Sequence, residues 1–201
     1  MLNFNEISQK TQVLREAAFY PKIGPDYNKF ELNPCLSEDE IHYFEDRHNT
    51  ILPDDYRQFL LKLGNGGAGP HYGLLKLQSS HPKHMIGLPW TQEEWNNQPF
   101  DSLSKSFPYT GNSDEDIIIA NSFYDDRGND KDSSDDTFSG MLVISHQGCT
   151  CWNLLVVNGK FKGEIWEYES CSNDSGFTPT NKDFATWYME WLNKFFRKPS
   201  D

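Results

Sequence analysis

The side chains best equipped for chemistry gather in one short run, His146 followed by Cys149-Thr150-Cys151, with Cys171 further along the chain. Thiolates and imidazoles are ligands that zinc favours, and a histidine near a cysteine is the minimal base and nucleophile. The spacing argues against both uses. Cys149 and Cys151 would share one face of a strand, whereas structural zinc sites hold two cysteines on a tight knuckle with about two to four residues between them. A cysteine nucleophile needs a base that orients and activates it, and sequence neighbourhood does not set His146 against Cys149. The four cysteines are expected to be reduced and partly buried.

Other reactive-looking residues are weaker still. The six histidines are scattered, with His81 and His84 separated by Pro82 and Lys83, and none forms a His-Glu-x-x-His helix. Asp130-Lys131-Asp132 starts like a calcium loop but lacks the central glycine and the closing glutamate. Asn65-Gly66-Gly67-Ala68-Gly69 follows a helical pattern and has no Gly-Lys-Ser/Thr ending, so it reads as a turn rather than a phosphate cradle. No catalytic residue, metal or cofactor is expected.

The elements that would carry these residues are more legible. Ser37 and Glu40 form a capping box that opens a helix from Leu36 to His48, with Leu36 stapled onto Ile41 and with Ile41 and Phe44 facing inward. Pro53 starts the next helix, where Asp54 and Asp55 meet the positive end of its dipole. Tyr56, Phe59, Leu60 and Leu63 make its apolar stripe, and Gly64 or Asn65 ends it. Gly140–Ser145 and Trp152–Val157 read as strands, and Asn158-Gly159 predicts a type I′ hairpin into Lys160–Tyr168. Further strands are expected at Gly73–Leu77 and Ile117–Ala120, and a short helix near Gln92–Asn96. The last helix, Asn181–Phe196, places Phe184, Trp187, Tyr188, Trp191, Leu192 and Phe195 on one core-packing stripe. The expected fold class is α+β: a single domain with a mainly antiparallel sheet, built from the Leu74, Ile118, Val143, Leu155 and Ile165 segments, with helices flanking it. Residues 1–33 form a helical extension packed on a domain spanning 34–197, and 198–201 are a tail.

Taken in order, several of these pieces resemble the Smi1/Knr4 family, or SUKH superfamily. They are Leu36–Ile41, Leu52-Pro53-Asp54-Asp55-Tyr56, Asn65-Gly66-Gly67-Ala68-Gly69, Gly148-Cys149, Leu154–Gly159, and Gly163-Glu164-Ile165-Trp166. Phe184, Trp187, Tyr188, Trp191 and Leu192 close the series. Within it Pro53, Tyr56, Asn65, Gly66, Gly67, Gly148, Cys149, Gly159, Gly163, Trp166, Trp187 and Trp191 stand as structural signature positions. The resemblance implies a non-catalytic binding module. Similar bacterial proteins are immunity proteins that bind and neutralise secreted toxin domains, often nucleases or deaminases. Fungal members resemble adaptor or regulatory proteins of cell-wall synthesis and signalling, with long disordered flanks that this chain lacks.

Charge agrees with a protein partner. The net charge is −12, which disfavours nucleic acid and anionic membranes as direct partners. No apolar run reaches the roughly 18 residues of a membrane span and no leader is evident, so a cytoplasmic protein is expected. Residues 111–136 hold nine acids, Asp114, Glu115, Asp116, Asp125, Asp126, Asp130, Asp132, Asp135 and Asp136, against Arg127 and Lys131. Tyr124 to Asp136 reads either as a solvated loop or as a docking surface for a basic protein toxin, whose substrate phosphates require positive charge. None of these features carries an oligomeric state.

Overall fold

The computed structural model describes residues 2–17, 29–79, 102–112, 114–116, 119, 138–148, 151–169 and 176–197. Its centre is a four-stranded antiparallel meander, β1 (Met141–Gly148), β2 (Cys151–Val156), β3 (Glu164–Glu169) and β4 (Gly176–Asp183), in the order β1-β2-β3-β4. The helices are α1 (Phe4–Glu16), α2 (Glu38–Arg47), α3 (Asp54–Lys62) and α4 (Phe184–Lys194). The α+β class with an antiparallel sheet is therefore the one the patterning implied.

Period-two alternation gives the sheet two apolar faces. Leu142, Ile144, Leu155 and Ile165 join the helical core with Ile41, Tyr56, Phe59, Leu60, Phe184 and Tyr188. Met141, Val143, Leu154, Val156 and Trp166 form a second core with Phe107, Tyr109 and Phe177. Rings dominate: Tyr56 and Phe59 meet Phe184 edge-on at 5.0 and 5.2 Å, and Tyr109 stacks on Phe177 at 3.8 Å.

Local signals worked where the partners lie close in sequence. The Ser37–Glu40 capping box is present, Glu40 Oε2 accepting from the Ser37 N–H at 2.8 Å. Pro53 is the residue just before α3 rather than its first helical residue, and its carbonyl receives the Arg57 N–H. Asp55 then fastens α3 to α4: one carboxylate oxygen accepts from the Ala185 N–H at 2.9 Å and the other from Tyr56 at 2.8 Å. Burial holds the Asp55 carboxyl above its usual range despite these donors.

Four expectations are corrected. The β2–β3 hairpin forms, but not through a two-residue type I′ turn. Leu155 pairs with Ile165, and Gly163 donates to the Val156 carbonyl, so the loop runs from Val157 to Gly163. Gly159 has φ +103° while Asn158 does not take the positive φ that type I′ demands. Asn158 is held instead by residues 104–107, its carbonyl accepting from the Phe107 N–H and its amide donating to the Ser104 carbonyl. Ile119 is helical, as are Asp114–Asp116, so the described part of the expected Ile117–Ala120 strand is not strand; an Asn112 side chain accepting from Asp114 N starts the turn. Leu74 makes single bridges to Gly67 and Ser145 and no strand, because Pro70, Gly73 and a short 3-10 turn at Leu77–Ser79 interrupt it. β4 was unexpected, since Pro179 and five polar residues mask its alternation, and proline belongs on an edge strand. It displaces the start of α4 to Phe184.

Asp183 caps α4, accepting from the Thr186 N–H at 2.7 Å. Hydrogen bonding from Thr186 holds the Asp183 carboxyl below its ordinary value of 3.8. A depressed carboxylate pKa contributes stability above pH 3.8 that is lost as pH falls through the folded value. Asp183→Ala is accordingly expected to cost about 1 kcal/mol at pH 7 and distinctly less near pH 3, read from urea unfolding at both pH values. An equal cost at both would contradict the cap.

Candidate functional site

The signature positions assemble the core and its tightest crossings. Tyr56 and Trp166 are buried, as are Asn65 and Trp187. Asn65 ties three segments together: its Oδ1 accepts from the Leu77 N–H at 2.8 Å, its Nδ2 donates to Gln78 at 2.8 Å, and its backbone N–H donates to the Pro34 carbonyl at 3.1 Å. The glycines that follow are backbone crossings, with Gly67 bridged to both Leu32 and Leu74. Trp191 is only partly buried, stacked on Phe30 at 6.0 Å. Gly163 lies near Pro53, and Gly159 near Phe107.

The family model for the SMI1 / KNR4 family (SUKH-1) matches residues 35–190. The chain belongs to this family. No curated protein and no solved structure matches it significantly. In this SMI1/KNR4 protein Tyr56, Asn65, Trp166 and Trp187 of the signature are buried parts of the scaffold.

His146 is packed among rings. It pairs with Trp152 across β1 and β2, with ring centroids 4.1 Å apart, and the Tyr72 ring lies 5.3 Å from it. Gly148 leaves room for that arrangement: a Cβ there would come 3.2 Å from the Tyr72 ring. Burial lowers the His146 pKa, so the ring is neutral at physiological pH. Cys149 and Cys171 lie outside the described residues, while Cys151 is half-buried on β2. Among the described residues no group of three His, Cys, Asp or Glu side chains is arranged to hold a metal ion.

The acidic segment divides by role. Asp116 is buried, and its carboxylate accepts from the Thr110 N–H at 2.6 Å, the Thr110 hydroxyl at 3.0 Å and the Gly111 N–H at 2.9 Å. That carboxylate organises a turn. Asp114 and Glu115 are exposed, with Glu115 accepting from the Thr110 hydroxyl. Tyr124, Asp125, Asp126, Asp130, Asp132, Asp135 and Asp136 lie outside the described residues. Nothing in the sequence separates Asp116 from its neighbours; its role follows from the turn at Thr110-Gly111.

The described sheet edges are unlike each other. On the β1 side, Tyr72 and Leu75 donate to the His146 and Ile144 carbonyls, which covers that edge. On the β4 side Pro179 interrupts the row of donors, a feature that blunts edge-to-edge pairing. Among the described residues no helix is long and apolar enough to cross a membrane.

Proposed function

We propose that this chain is a protein-binding module of the immunity type, which captures and neutralises a basic toxin domain such as a nuclease or deaminase. The reading is carried by membership of the SMI1/KNR4 family together with a net charge of −12. It treats the chain as non-catalytic, with the acids of the 114–136 segment, apart from the buried Asp116, acting as an electrostatic landing surface. An enzyme that degrades RNA or DNA must present positive charge to phosphates. An acidic partner then gains association rate, because long-range attraction raises the frequency of productive encounters, while short-range packing sets the lifetime of the complex. The blunted β4 edge favours side-chain docking over strand addition.

Two measurements test this. Co-expression with the C-terminal domain of the toxin-like reading frame beside the gene is expected to restore growth and to yield a complex that weakens as salt rises. Reversing Asp114, Glu115, Asp125, Asp126, Asp130 and Asp132 to lysine is expected to lower the association rate by about tenfold or more and to flatten its salt dependence. Unchanged rate and salt slope would remove the segment from the interface. Absence of both rescue and complex would favour an adaptor role, pursued by capture from native lysate.

A further inference from the structure

Asparagine precedes glycine at two places in this chain, Asn65-Gly66 and Asn158-Gly159. In such a pair the backbone nitrogen of the glycine can attack the side-chain amide carbon of the residue before it, because no Cβ obstructs the approach. A nitrogen–carbon bond forms and ammonia leaves, which gives a five-membered succinimide. Water then opens the ring at either carbonyl, to aspartate or, with the main chain rerouted through Cγ, to isoaspartate. Water is the only co-reactant, so the fold decides whether a given pair reacts by how firmly it holds the two groups.

The two pairs are held differently. Asn65 is buried, and both ends of its amide are bonded, Oδ1 accepting from the Leu77 N–H and Nδ2 donating to Gln78. Asn158 is half-buried and lines a cleft of about 440 Å³ between the β2–β3 loop and the C-terminal end of α2. Its Nδ2 donates to the Ser104 carbonyl, but among the described residues nothing donates to its Oδ1. The Gly159 N–H, which is the attacking group, makes no hydrogen bond among the described residues either. Glycine is also required there for the backbone itself, at φ +103°.

We propose that Asn158 is a site of spontaneous deamidation, and that the product releases residues 104–107 from the β2–β3 loop. Asn158 is the tie between those segments, its carbonyl accepting from the Phe107 N–H at 3.0 Å and its side chain donating to Ser104. Exchange of the amide nitrogen for a carboxylate oxygen sets an anion against the Ser104 carbonyl, so a hydrogen bond becomes a repulsion. Glu45 and Asp46 on the facing wall of the cleft add negative charge, against Lys162 on the near one. Isoaspartate goes further, because it lengthens the loop by one carbon and turns the carbonyl that accepts from Phe107 into a free carboxylate. The Phe107 ring meets Trp166 edge-on at 4.8 Å, so a loosened 104–107 segment uncovers the second core.

The test is peptide mapping by mass spectrometry of the full-length chain held at mildly alkaline pH, folded or in guanidinium chloride. Unfolded, the two pairs are expected to convert at similar rates, since the dipeptide is the same. Folded, Asn158 should convert at least about tenfold faster than Asn65, because two amide hydrogen bonds rather than one must open at Asn65. The deamidated form, separated by ion exchange on its added negative charge, should unfold about 2–8 °C below the parent. Asn158→Asp should reproduce part of that loss without the rerouted main chain. Conversion of Asn65 as fast as Asn158 in the folded chain, or an Asn158 that keeps its amide there while the unfolded chain loses it, would overturn the site. A deamidated chain with the parent Tm would overturn the release of residues 104–107.

Discussion

Trp166→Ala is expected to destabilise the protein by about 3–5 kcal/mol, the range for removing a fully buried indole, and so to use up a large share of the roughly 5–15 kcal/mol that holds a typical domain. Trp166 is wholly buried on β3, opposite Leu154 on β2. The Phe107 ring meets it edge-on at 4.8 Å and Phe161 at 5.1 Å. These contacts come from three separate segments, so the vacated space does not close by moving one of them. The indole N–H has no hydrogen-bond partner among the described residues, so Trp166→Phe loses area but no hydrogen bond and should cost well under half as much. Urea unfolding measures both variants; a shift in the midpoint at constant slope identifies a stability effect. If alanine cost under about 1 kcal/mol, the ring would not be the keystone of the second core.

Gly67→Ala is expected to cost about 3 kcal/mol through a different mechanism. Gly67 has φ +105°, a conformation that L side chains rarely adopt, and a Cβ there would stand 2.5 Å from the Glu31 carbonyl oxygen. The obstruction is backbone, not the movable end of a side chain. Its N–H and carbonyl both bond to Leu74, at 2.9 and 2.8 Å, so shifting Gly67 breaks a pair of hydrogen bonds. Gly176→Ala is the matched control, because no atom of the described residues lies within 4 Å of its added Cβ and its φ lies outside the left-handed range. It should stay within about 0.5 kcal/mol of the parent. Thermal unfolding of the pair checks the contrast, and similar costs for both would show that the crossing at Gly67 relaxes.

Both substitutions fall on signature positions, and both act through the fold. The variants should therefore lose folded protein in proportion to their loss of stability, while the molecules that remain folded keep their affinity for whatever partner the parent binds. The charge reversals at residues 114–132 should behave in the opposite way, leaving Tm near its parent value and changing the binding. Measuring both quantities on one set of variants separates scaffold from interface.

The sequence by itself determined those elements whose cause is local. The capping box at Ser37 and Glu40, the start of α3 after Pro53, and the apolar stripe of α4 each involve residues about three to four positions apart, where side chain and backbone meet whatever the rest of the chain does. The β-branched and large apolar residues of β1 and β2 likewise announced two strands, and the ordered motifs identified the family. The proposed function rests only on that resemblance and the net charge. Tertiary structure decided what depends on distant partners. Residues 104–107 override the Asn158-Gly159 preference for a type I′ turn, β3 recruits the polar Gly176–Asp183 segment as an edge strand, and the Thr110-Gly111 turn buries Asp116 while its neighbours Asp114 and Glu115 remain exposed. A pattern of residue types reports which groups a segment carries, but whether a given carboxylate or hydroxyl is already satisfied depends on what packs against it.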